Sequence, residues 1–224
     1  MRLVAVAIGC VVALASSGIA RAQPEGRVTG KVTITEADGK PSAGAEAVIY
    51  IVGFTEPPEG GDPVKIQQLD KKFVPDLVAI TAGDTVSFPN NDGFLHNVFS
   101  QSAARRFDLG SFKKGVTKEK SFPVPGVVDV YCNLHPEMAA TILVVPNRKH
   151  TRIKPDGSYE LDGVPPGTWT VFAYTRRATR PSLAKVTVTA GQTSTVDLSL
   201  VRGAEPDHLN KYGEKYHDGG QTYN

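Results

Sequence analysis

The chain has 224 residues, 40% of them hydrophobic and 21% charged, and a formal net charge of +2. This content can bury a core, and it excludes both a disordered polymer and a chain that lies wholly within a membrane. The near balance of charge gives no basis for nucleic-acid binding, while Gly 22 and Pro 16 favour short strands and many turns over long helices.

The first element reads as an export signal over residues 1–22. Met1-Arg2 supplies a positive start, Leu3 to Ala15 is continuously apolar, and Ala20-Arg21-Ala22 places small residues before Gln23. The run is too short for a lasting anchor, so no stable membrane insertion is expected. The mature chain would begin near Gln23, in the periplasm or secreted. A lipoprotein reading of Ala7-Ile8-Gly9-Cys10 is disfavoured because the apolar run continues through Val11-Val12-Ala13-Leu14. Without Arg2 and Arg21 the chain carries 23 basic and 23 acidic residues, one thiol, Cys132, and one thioether, Met138. A single exported thiol closes no internal disulfide, so Cys132 is buried and inert, paired between chains, or a metal ligand.

Arg27 to Thr35 alternates, Asp38-Gly39-Lys40-Pro41 is a turn, and Glu46 to Val52 is a second strand, together a hairpin. Thr55 to Pro63 is composed of turn formers and places a boundary near residue 62. Residues 64–146 read as short strands at Lys65–Leu69, Val78–Thr81, Asp84–Phe88, Leu95–Ser100, Thr117–Pro123, Val127–Cys132 and Ala139–Val145. Within the sixth, Val128, Val130 and Cys132 share one face, so Cys132 looks into the core at a strand's end. Lys113, Lys114, Lys118 and Lys120 read as a solvated face able to steer an acidic partner.

Residues 151–201 carry Asp156-Gly157 and Pro165-Pro166-Gly167 as hairpin turns, with strands Thr168–Tyr174, Leu183–Thr189 and Thr193–Leu200 and with Trp169 as a core residue. The tail, 203–224, is polar without apolar period and reads as disordered or draped on the rest. Its His208 and His217 read as solvated.

The chemistry concentrates in Tyr131-Cys132-Asn133-Leu134-His135-Pro136-Glu137-Met138 and, upstream, Asp92-Gly93-Phe94-Leu95-His96-Asn97-Val98-Phe99. Taken singly, Cys132 suits a small buried hydrophobe, Met138 packing, and His96 or His135 a hydrogen-bonded structural role. Taken together, the only mature thiol and thioether flank a histidine at ligand spacing. A thiolate, two imidazoles and a weak axial thioether are the donor set of a blue-copper electron-transfer centre. Cys132, His135 and Met138 share one tight loop, and His96 must arrive from a neighbouring strand. Zinc prefers tetrahedral Cys/His sets or a carboxylate, so Met138 points to one copper ion.

These segments resemble the cupredoxins, most closely the short-loop members amicyanin and pseudoazurin. Cys132-x2-His135-x2-Met138 with Pro136 matches their loop, His96-Asn97-Val98 resembles the first-ligand motif, and Ala82-Gly83-Asp84-Thr85-Val86-Ser87-Phe88 with Pro125-Gly126 extends the match over 64–146. The resemblance implies a Greek-key β-sandwich with His96, Cys132, His135 and Met138 on the metal. It also implies Asn97 and Pro136 supporting the ligand loops, and His135 as the solvent-edged ligand through which electrons leave. The flanks resemble the carboxypeptidase regulatory-like (transthyretin-like) β-sandwich, through Gly30-Lys31-Val32, Asp38-Gly39-Lys40-Pro41 and Ala43-Gly44-Ala45, then Asp156-Gly157-Ser158-Tyr159 and Val164-Pro165-Pro166-Gly167-Thr168-Trp169. Neither half has enough strands alone, so 25–54 and 150–202 are expected to form one discontinuous Ig/transthyretin-like β-sandwich around the insert. The fold class is all-β.

The expected function is that of an exported type 1 copper protein passing single electrons between an exported donor and acceptor by Cu(I)/Cu(II) cycling. Phe94, Leu134 and Pro136, with Pro123, would form an apolar docking patch around His135. One alternative is a copper-binding or delivery protein that holds Cu(I) without cycling; another is an adhesion or scaffold protein with structural copper. An enzyme is not expected, because four such donors leave little room for substrate and no nucleophile triad or second copper site is evident.

Overall fold

The computed structural model describes residues 24–216, within which eighteen strands and no helix occur. The signal-peptide reading of 1–22 and His217 lie outside the described residues. In chain order the strands are β1 Gly26–Glu36 and β2 Val48–Val52, then β3 Val64–Lys65, β4 Gln67–Leu69, β5 Lys72–Val74, β6 Leu77–Thr81 and β7 Thr85–Pro89. Next come β8 His96–Ser100, β9 Phe107–Phe112, β10 Thr117–Ser121, β11 Gly126–Tyr131 and β12 Ala139–Val145. The last are β13 His150–Arg152, β14 Ser158–Val164, β15 Gly167–Tyr174, β16 Ser182–Val188, β17 Thr193–Thr195 and β18 Leu198–Arg202.

The central strands make a five-stranded sheet, β6-β12-β11-β8-β9, facing a three-stranded one, β10-β7-β3. Alternation drives this closure: β11 buries Val128 and Val130 and leaves Asp129 and Tyr131 half-covered, while β10 has no buried residue. Ile66, Phe88, Val98, Phe122, Val130 and Ile142 fill the space between the sheets. Each such side chain contributes about 1.5–3 kcal/mol relative to exposure. Cys132 and Met138 belong to this same buried cluster.

The outer strands make two further sheets, β14-β1-β17 with β18 also on β1, and β13-β2-β15-β16. Between them lie Val28, Val32, Ile49, Ile51, Leu161, Val171 and Leu200. Trp169 packs on this cluster edge-on to Phe54, with Nε1–H donating to the Pro165 carbonyl at 2.7 Å. At Gly30 a Cβ would lie 1.8 Å from the Val196 carbonyl oxygen, so the approach of that segment to β1 requires glycine.

Three turns read as hairpins do something else. β1 and β2 lie in different sheets, as do β13 and β14, and β14 and β15. Each turn therefore carries the chain across the sandwich. Alternation tells which face of a strand is buried, but not whether the next strand pairs beside it or packs opposite. Val28 and Ile49 meet through the core rather than through main-chain hydrogen bonds. The tail is draped over 203–216, as its many contacts below show.

A third cluster, Val48, Leu77, Leu143 and Val145, joins the outer strands to the central ones. Buried Asn147 reinforces the junction by donating from Nδ2 to the carbonyls of Ile51 and Phe54, at 3.0 and 2.9 Å.

Candidate metal centre

Two adjacent strands and their loops assemble the site. β11 pairs antiparallel with β12 up to Tyr131 opposite Ala139, and the next pair in register is Cys132 and Met138. There the chain makes a tight loop: Cys132 N–H donates to the Met138 carbonyl at 3.2 Å, and Met138 N–H to the His135 carbonyl at 3.0 Å. β8 lies on the other side of β11, with Tyr131 opposite Phe99, and its first residue is His96.

Three expected ligands converge. His96 Nδ1 and His135 Nδ1 are 3.1 Å apart, and the Cys132 sulfur stands 3.9 Å from the first and 3.8 Å from the second. His96 and Cys132 are fully buried, whereas His135 is half-buried at the surface. Among the described residues this is the one His/Cys/Asp/Glu group brought close enough to share a metal ion. Met138 is fully buried in the core beside the loop, and its main chain closes that loop.

The surroundings keep Cys132 a neutral thiol until a cation is present, with N–H donors already aimed at the sulfur. Burial pushes the Cys132 thiol up, against the lowering pull of main-chain N–H groups of Asn97, Leu134 and His135. Asn97 and Leu134 N–H reach the sulfur at 3.5 and 3.4 Å. A buried thiol so placed ionises when a cation arrives, and its hydrogen-bond donors are already in position. Burial and then the neighbouring His96 hold the His135 imidazole below its ordinary value, leaving it neutral with a lone pair to offer.

One participant was not assigned from the sequence. Buried Asp92 accepts from His96 Nε2 at 2.7 Å and from the N–H groups of Asp70 and Lys71 at 2.7 and 2.8 Å. Burial opposes its charge, but Lys71 N–H, His96 and Asp70 N–H together hold the carboxyl below its ordinary range. With Nε2–H committed to Asp92, the lone pair of His96 sits on Nδ1, facing Cys132 and His135. The spacing Asp92-x3-His96 was the available signal. Buried Asn90 shapes this loop, donating from Nδ2 to the Phe94 and Phe112 carbonyls at 2.9 Å each and accepting Asp92 N–H on Oδ1 at 2.9 Å.

Asn97 ties the ligand loops by its main-chain N–H; its side-chain Nδ2 instead donates to Asp108 at 2.7 Å. Phe94 is 54% and its neighbour Leu95 52% exposed, and the Phe94 ring stands edge-on to His135 at 6.3 Å. Pro136 and Pro123 are exposed and Leu134 is half-buried against the central core.

No family model matches the chain. Over 72 residues it is 38% identical to plastocyanin from Ulva arasakii and equally to plastocyanin from Ulva pertusa, taking in 28% of this chain and 74% of each relative. Among solved structures, a purple cupredoxin from Nitrosopumilus maritimus is 23% identical, with 37% of this chain and 99% of that chain covered and a TM-score of 0.34.

Proposed function

Because the chain belongs to the cupredoxins, the family of plastocyanin, we propose that it is an exported carrier of single electrons, with one copper ion held by His96, Cys132, His135 and Met138. The observation that carries this is the meeting of two imidazole Nδ1 atoms and one sulfur within 3.9 Å, at the end of the strand pair that also bears Met138. A soft sulfur, two imidazoles and a thioether fit copper better than zinc or a hard cation.

Copper in such a set exchanges one electron between Cu(I) and Cu(II) with little change in its ligands. The chain's own residues provide the rest. Asp92 fixes the tautomer and ring plane of His96. Asn97 and Leu134 N–H groups disperse charge on the Cys132 sulfur. The main-chain bonds between Cys132, His135 and Met138 hold the loop to one shape. His135 forms the edge of the site, and Phe94, Leu95, Leu134 and Pro136 around it provide a small apolar contact for exported donor and acceptor proteins. No catalytic role is assigned.

In the same reading, 1–22 is a cleaved signal and the mature chain begins near Gln23. Residues 25–54 and 150–202 form one outer sandwich around the copper unit at 64–146. Terminal sequencing of the protein recovered from the periplasm or medium tests the first point. The copper reading is tested by the visible and paramagnetic-resonance spectra of the Cu(II)-loaded chain. An intense blue or green charge-transfer band is expected, and Cys132→Ser is expected to abolish it; a band that survives Cys132→Ser overturns the ligand assignment. Fast reversible voltammetry is expected, whereas sluggish voltammetry with ready copper release to an acceptor protein would replace transfer by delivery.

A further inference from the structure

The outer face of the ligand loop is held by a segment distant in sequence. After β18 the chain runs back over the copper unit, and four of its residues fasten it there. Glu205 pairs with Arg176, which also pairs with Asp76 at 2.9 Å. His208 donates from Nε2 to the Pro136 carbonyl at 2.8 Å and stacks on Tyr131 at 3.9 Å between ring centres. Lys211 N–H donates to Asn133 Oδ1 at 3.0 Å, its carbonyl accepts from Gln101 at 2.9 Å, and its ammonium pairs with Asp108 at 2.9 Å. Tyr216 donates its hydroxyl to the Cys132 carbonyl at 2.8 Å and sets its ring edge-on to His208. Between these anchors Asn210 closes a turn, its Oδ1 accepting Tyr212 N–H at 2.9 Å and its carbonyl Gly213 N–H at 3.0 Å.

We propose that Glu205–Tyr216 is a clasp whose positioning residues fix the ligand loop from outside, His208 and Tyr216 at the main-chain carbonyls of Pro136 and Cys132 and Lys211 at the side chain of Asn133. Loop residues 132–138 carry three of the proposed ligands, and a short loop left free would spread over many backbone conformations, most unable to present all three at once. The inner side of the loop is restrained by its own hydrogen bonds and by the core; the clasp restrains the outer side. Its hydrogen bonds to the loop end on the Pro136 and Cys132 carbonyls and on Asn133 Oδ1, none of them a proposed donor atom. Copper retention thus becomes a property shared with the outer sandwich, since Glu205 is anchored through Arg176, next to β15. The consequence for copper rests on the reading above, while the consequence for loop order does not.

Two measurements test the clasp on the full chain, on a chain ended after Ala204 and on Tyr216→Phe. In the metal-free protein, amide exchange at Leu134 and Met138 is expected to quicken about fivefold in Tyr216→Phe, the equivalent of one net hydrogen bond, and more in the shortened chain. In the Cu(II)-loaded protein, release to a strong chelator is expected to quicken by a similar factor in Tyr216→Phe and at least about tenfold in the shortened chain, with altered hyperfine coupling. The thermal midpoint of metal-free Tyr216→Phe should stay near that of the parent, and Lys215→Ser should match the parent throughout. Unchanged exchange and release in the shortened chain overturn the clasp. A full chain with quickened exchange on shortening but no charge-transfer band keeps the clasp and removes the copper reading.

Discussion

The two sandwiches of this chain are built alike and filled differently. Both close on apolar side chains from two facing sheets. Of the eleven buried polar residues described, however, nine fall in the central 64–146 segment, and several of these, Asn90, Asp92, His96 and Asn97, crowd at one end beside Cys132. The other two are Asn147, between β12 and β13, and Thr175, just after β15, both bonded to main-chain carbonyls. Buried polar groups are costly unless their partners are in place. Their concentration at one end of one core therefore marks where that core serves something besides its own stability.

Removal of copper by a chelator is the largest perturbation: at a thousandfold excess over its dissociation constant a bound ion adds about 4 kcal/mol to apparent stability. The chain without copper is expected to unfold at lower temperature but still cooperatively, because the apolar cluster of the central core, with Phe88, Val98, Phe122 and Ile142, does not depend on the ion. Loss of folded structure at ordinary temperature would instead favour structural copper. Ile51→Ala, in the outer core, is expected to cost about 3 kcal/mol by calorimetry while leaving the visible band in place; a lost band would show that the two cores are not separable. Asp92→Asn removes a buried charge and one of several acceptor lone pairs, and should cost the metal-free chain about 2 kcal/mol. The same change is expected to raise the reduction potential, since the negative charge that favours the more oxidised metal is gone; an unchanged potential would separate Asp92 from the site. Asp162→Asn at the exposed pair with Arg27 is the smallest, within about 0.5 kcal/mol in chemical unfolding.

The sequence made the strands and the donors legible for different reasons. Val128, Val130 and Cys132 share a buried face because strand period is two, and that holds whatever the neighbours are. The loop donors stood out because residues 23–224 hold one thiol and one thioether. What alternation could not tell was pairing, so β1 and β2 were read as a hairpin although they face each other across a core. β9 was missed because Phe107 and Phe112 are its only buried residues, at either end of Asp108-Leu109-Gly110-Ser111. Asp92 stands in the same motif as His96, but the x3 spacing alone does not separate a carboxylate that folds back on a histidine from one that stays in a loop. The tail escaped for a similar reason: His208, Lys211 and Tyr216 bind main-chain carbonyls and one amide, and such contacts leave no hydrophobic period.

The junction at Asn147 has a corollary for chain entropy. Glu56 N–H meets the Pro146 carbonyl at 3.1 Å, so the chain departs from the outer strands and returns to them at almost one point. Seen from those strands, the whole copper unit amounts to a pinned surface excursion, whose closure entropy grows only slowly with its length, by about 0.6 kcal/mol per doubling. The excursion can thus lengthen or shorten over generations while the pairing of Val171 with Ile51 beneath it keeps its register.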